Sequence, residues 1–134
     1  MKKASIFALS AATLLLASCS SFNSHWTANM FIHSNNSHSA YMEFGEFDGL
    51  IVFDLRANDS NGMNLKYDLS LGEGSFTISY AYSEEKDDQG EIVKIADGEK
   101  KEDTFTLPKE GVFHLLVESE GKAKTGNFHF DLTK

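Results

Sequence analysis

The sequence predicts an all-β fold: a single antiparallel β-sandwich, jelly-roll-like or Ig-like, of about nine short strands, with a small β-barrel as the alternative. Three observations predict it. Apolar and polar residues alternate at period two, as at Met63, Leu65, Tyr67, Leu69 and Leu71 against Asn64, Lys66, Asp68 and Ser70. Past residue 24, no segment repeats apolar residues at i, i+3, i+4 and i+7 over three turns. Turn-forming clusters also interrupt the alternation roughly every 8–12 residues.

In chain order, Trp26 to Ile32 is the first expected strand. Ala40 to Phe47 is the second, with a bulge expected at Gly45, since glycine inside a strand often marks one. Leu50 to Leu55 is apolar at nearly every position, as in a central strand covered on both faces. Asn58-Asp59-Ser60-Asn61-Gly62 is a turn of residues that tolerate left-handed backbone. Met63 to Leu71 and Phe76 to Tyr82 read as a hairpin about Glu73-Gly74, with Leu69 facing Ile78 and Leu71 facing Phe76. Ser83 to Asp103 is charged; only Ile92, Val93 and Ile95 can reach a core, so a long exposed hairpin, or a short edge strand flanked by two loops, is expected. Thr104 to Leu107, Val112 to Val117 and Phe128 to Leu132 complete the set. A turn at Gly121-Lys122 would pair the last two strands, placing Phe113 opposite Phe130 and His114 opposite His129.

The beginning of the chain has another character. Met1-Lys2-Lys3 is basic, Ala4 to Leu16 is an uncharged apolar run, and Leu16-Ala17-Ser18-Cys19 closes it with small residues before a cysteine. This is the three-part layout of an export signal. At thirteen residues the run falls short of the roughly 20 that span a bilayer. Leu-Ala-Ser-Cys resembles the lipobox of bacterial lipoproteins. The resemblance implies cleavage before Cys19, a covalent lipid on its sulfur, and a protein anchored to the cell membrane or outer membrane on the extracytoplasmic side. By the sorting rules of two-membraned bacteria, Ser20 after the cysteine implies the outer membrane. The expected organisation is a signal over 1–18, a lipidated cysteine and linker over 19–24, and one domain over 25–134.

Cys19 is the only cysteine, so no internal disulfide can form. Residues 19–134 carry 10 basic against 20 acidic side chains, or −10, because Lys2 and Lys3 leave with the signal. Nucleic-acid binders are basic, so that class is excluded. Membrane contact through the anchor and a protein or glycan partner in the envelope are expected, with the oligomeric state open.

Candidate sites are few. Trp26 and Tyr41 can present aromatic surface to a sugar or peptide. Asp87, Asp88 and Glu91 supply oxygens that suit calcium. Asp59-Ser60-Asn61-Gly62 is similar to part of a calcium loop, but Ala57 stands where the first acid belongs, so a plain turn is expected. If His114 and His129 are opposed, with Asp131 two residues along, the three can reach one metal such as zinc. No Gly-x-Ser-x-Gly elbow is present and no His pairs with a Ser by spacing, so no enzyme and no dissociable cofactor are expected.

The last strands, from Leu107-Pro108-Lys109-Glu110-Gly111-Val112-Phe113 and Gly126-Asn127-Phe128-His129-Phe130, resemble the close of bacterial prepeptidase-C-terminal-type sandwich domains. That resemblance implies a sandwich architecture and covers about a fifth of the chain.

Overall fold

The computed structural model describes residues 22–134. What is expected of residues 1–21, including cleavage before Cys19 and its lipid, lies outside the described residues. Nine strands run through these: β1 (His25–Asn29), β2 (Ile32–Asn35), β3 (Ser39–Ala57), β4 (Asn64–Glu73), β5 (Ser75–Ala81), β6 (Gln89–Ala96), β7 (Lys100–Thr106), β8 (Gly111–Ser119) and β9 (Ala123–Thr133). A single 3-10 turn, Lys86–Asp88, leads into β6.

The described residues are all-β and antiparallel, as the alternation predicts. Two elements differ from expectation. Trp26 to Ile32 breaks in two at Met30, which takes a φ of 55°. The second and third expected strands fuse into the nineteen-residue β3. Asp48-Gly49 reads as a strand end, yet Gly49 at φ 133° lets the strand bend without losing its partners. A Cβ at Gly49 would collide with the backbone of His25 and Trp26, so only glycine lets β1 come so close.

The strand order is β6-β5-β8-β3-β9-β4-β7, with β1 and β2 following one another along β3. The end strands β6 and β7 are joined through Asp97-Gly98-Glu99, and that turn bonds back to β4. Leu71 N–H donates to Glu99 O (3.1 Å), and Gly98 N–H to Gly72 O (3.0 Å). The nine-stranded sheet is therefore nearly closed and barrel-like, consistent with the expected all-β sandwich or small barrel.

One crease crosses the sheet. The registers put Met30, Gly45, Thr125 and Gly72 in line across neighbouring strands, and Gly98 extends the line. Three of the five have positive φ: Met30, Thr125 (60°) and Gly98 (73°). Along β3 the buried positions change there from Ala40, Met42 and Phe44 to Phe47, Ile51, Phe53 and Leu55. Along β9 they change from Ala123 to Gly126, Phe128 and Phe130. Gly45 is thus no bulge against β9, because the register is the same on both sides of the skipped Gly45–Thr125 position. Both strands kink together, and each keeps its apolar face inward.

Both expected hairpins are corrected. β4 does not pair with β5. It pairs with β9, Leu69 opposite Phe128, and with β7. β5 pairs with β6 and β8, Ile78 opposite Val93 and Val117. Only Gly74 separates β4 from β5, at φ 102°, and the chain turns a corner there from one layer into the other. Nor do β8 and β9 pair with each other, because β3 lies between them. Leu115 faces Phe53 and Phe128 faces Met42. Period-two alternation fixes which face a side chain takes and leaves its neighbouring strand open.

The core is aromatic. Phe44, Phe47, Phe76 and Phe128 form a cluster with ring centroids 4.9–5.8 Å apart, the Phe76–Phe128 and Phe44–Phe128 pairs edge to face. Leu65, Leu69, Ile78, Ile95, Phe113 and Phe130 are fully buried around it.

Candidate functional site

A concavity lies between β1–β2 and the second half of β3. It is an open groove of about 390 Å³ lined by Ser24, Trp26, His33, Asn35, Val52 and Phe53 among others. Trp26 stands on β1 and is 39% exposed. Its ring meets Phe31 edge-on at 4.7 Å and lies over Phe47 at 6.1 Å. Phe31 in turn stacks on His33 at 4.8 Å. A core aromatic thus supports a row of partly wet rings.

The groove's floor is not an open strand edge. Val52 N–H donates to Ser24 Oγ (2.9 Å). Asn35 serves Asp54 as a second strand would: its Oδ1 accepts from Asp54 N–H (3.1 Å) and its Nδ2 donates to Asp54 O (3.0 Å). Arg56 N–H donates to Ser37 O (2.8 Å), and Asn61 Nδ2 donates to Arg56 O (2.9 Å). Side chains thus satisfy an edge that would otherwise recruit another chain.

Tyr41 lies elsewhere, on the outer face of β3. Its hydroxyl donates to Glu43, and its ring sits 4.4 Å from that of His129. The hydrogen bond to Glu43 raises the phenol's pKa, with desolvation and the Glu43 charge adding to the rise. His129 and Asp131 share a shallow basin of about 260 Å³ with Lys66, Asp68 and Glu102. His114 is not there. It sits across from Asp54, its Nδ1 2.6 Å from Asp54 Oδ1, with the Phe22 ring 4.8 Å away. The expected set of His114, His129 and Asp131 does not come together, because β3 separates the strands that carry the two histidines. Among the described residues no three His, Cys, Asp or Glu side chains are grouped to hold a metal.

The acidic stretch is tied into the protein. Asp88 takes Lys109 Nζ on Oδ1 (2.9 Å) and Ser83 Oγ on Oδ2 (2.7 Å), and these two bonds hold its carboxyl below the ordinary range. Asp87 is exposed in the 3-10 turn, and Glu91 stands on β6 within 3.9 Å of Lys94.

Sequence reasoning missed Ser24, His33 and Asn35 as residues lining the groove with Trp26, and Asp54 as the partner of His114. One signal was available. Phe22 to Met42 contains no Asp, Glu, Lys or Arg, whereas residues 43–134 hold all 20 acidic side chains and 10 of the 12 basic ones. A scan against protein-family models finds no match to this chain, and a search of the curated proteins finds none.

Proposed function

We propose that this protein is a lipid-anchored component of the bacterial cell envelope that works by binding rather than by catalysis. The observation that carries the reading is the Met1–Cys19 stretch, with its basic head, apolar run and Leu-Ala-Ser-Cys close. Cys19 would bear the lipid, and only Ser20 and Ser21 separate it from Phe22, so the barrel is held close to the membrane. The groove beside Trp26 supports a binding role: it offers aromatic surface with His33, Ser34 and Asn35 as polar neighbours, which suits an envelope protein or glycan. Mass spectrometry of the native N-terminus tests the anchor. The expected species begins at Cys19 with acyl chains attached; an unmodified N-terminus refutes it. Cys19→Ala is expected to move the protein out of the membrane fraction or to stall its processing.

A second reading has its own support in the −10 carried by residues 43–134. A basic partner, such as an enzyme that attacks the envelope, would be drawn to that surface and inhibited by it. Such binding would weaken steeply with added salt. Binding at the Trp26 groove would change little.

A further inference from the structure

We infer that the β1–β2 edge is the face this domain lays on the bilayer, a reading that rests on the proposed anchor at Cys19 and that limits the Trp26 groove to ligands at the membrane surface. Four large apolar side chains stand out among the described residues: Trp26, Met30 (80% exposed), Ile32 (62%) and Val112. Three of them fall within seven residues on one edge. Phe31 adds a half-buried ring between Trp26 and His33.

Charge selects the bilayer as the occupant. The strands of this edge lie within the stretch from Phe22 to Met42, which carries no formal charge, while the rest of the domain is strongly acidic. An acidic body is repelled by anionic headgroups, so it approaches a membrane with its uncharged face first. Aromatic side chains with a polar atom settle at the headgroup boundary, as Trp26 would. Chain length selects the same face. The seven steps from Cys19 to Trp26 reach about 25 Å at most, so a lipid on Cys19 keeps this edge near the surface.

The neighbouring strand limits the depth. Glu43 lies opposite Ile32, Glu46 opposite Asn29 and Asp48 opposite Thr27, all on β3 and about 4.8 Å behind the edge. Glu43 accepts from Tyr41 and Glu46 lies 3.8 Å from Lys122, but all three carboxylates belong in water. At the start of β1, His25 is within electrostatic reach of Glu118. The edge therefore rests among headgroups, where water still serves its unpaired backbone, and does not enter the hydrocarbon.

Trp26 is the only tryptophan, so it reports on this edge alone. The test uses the mature lipidated protein, beginning at Cys19, in phosphatidylcholine vesicles, with and without lipids brominated near the top of the acyl chains. Shallow bromine is expected to cut Trp26 emission by about half, and bromine deep in the chains to do far less. A Met30→Ser/Ile32→Ser variant, altered at exposed positions, is expected to lose most of the quenching and keep its far-UV spectrum. Protein that floats with the vesicles while Trp26 stays unquenched overturns the docking and leaves the anchor standing. Protein that does not float overturns both. A Trp26 signal that follows protein density, and not bromine, gives the edge to a second copy of the chain and also overturns the inference.

Discussion

Replacing Gly126 with alanine tests the register at the centre of the barrel. Gly126 faces inward on β9 opposite Phe44 of β3, and the Phe44 ring lies over the space a side chain would fill. A Cβ there would sit inside van der Waals distance of Cζ and Cε1 of Phe44, and 2.9 Å from Cε2. The ring must retreat by more than about 1 Å to restore an ordinary carbon–carbon contact of roughly 3.5 Å. It has little room, because Phe47, Phe76 and Phe128 surround it. Overpacking of this kind costs about 1–3 kcal/mol. The loss of glycine's freedom in the unfolded chain offsets about 0.4–1 kcal/mol of that. A clash this close puts the cost in the upper half of that range, so a net loss of about 1–2.6 kcal/mol is expected in urea unfolding followed by far-UV circular dichroism. Phe44→Leu shortens the obstructing ring, so Gly126→Ala should cost less in that background. This non-additivity is the signature of direct contact. A neutral or stabilising Gly126→Ala in the wild-type background would refute the placement of Phe44 and the β3–β9 register with it.

Three further outcomes are expected. Ser119→Ala should cost about 1–3 kcal/mol in urea melts, because the buried Ser119 hydroxyl accepts from Gly49 N–H (2.9 Å) and donates to Gly49 O (3.3 Å), and its loss leaves both unpaired. Leu69→Ala should cost about 2–5 kcal/mol, and Ser70→Ala on the other face of β4 should stay within about 0.5 kcal/mol; the reverse order in urea would put the wrong face of β4 inside. Asp88 has its pKa lowered on folding by Lys109 and Ser83, so its contribution is present above the ordinary aspartate value of 3.8 and is lost as pH falls through the lower folded value. In acid melts the gap between wild type and Asp88→Asn should therefore close below that pH, and a gap that widens there would reverse the assignment.

The sequence carried faces more clearly than neighbours. Leu65, Leu69, Leu71, Phe76 and Ile78 all point inward as their alternation implies. Yet a strand that turns a corner keeps the same alternation as one that folds into a hairpin, so β4 and β5 were indistinguishable from a pair. Gly74 suited either outcome. The His114–His129 pair failed for the same reason: it needed a register that alternation cannot supply. Trp26 was legible as a half-exposed aromatic because it stands at the start of the domain. Asn35 was not, since its role as a stand-in strand for Asp54 depends on a bend in β3 that brings two segments 19 residues apart into contact.

The place of β3 also governs when this protein can fold. β3 emerges early, yet apart from β1 and β2 its partners are the last two strands of the chain. Until residues 111–133 are present, β3 lacks both of its long partner strands and is paired only along β1 and β2. Closure must wait for contacts between the two ends of the sequence, which are slow to form. For a chain threaded N-terminus first through a narrow channel, that delay is useful. The domain stays unfolded while its C-terminal strands are still on the near side, and it folds only once they have arrived. Moving β8 and β9 ahead of β1 by circular permutation would remove the delay, and a permuted chain carrying the proposed export signal would then tend to fold before transport was complete.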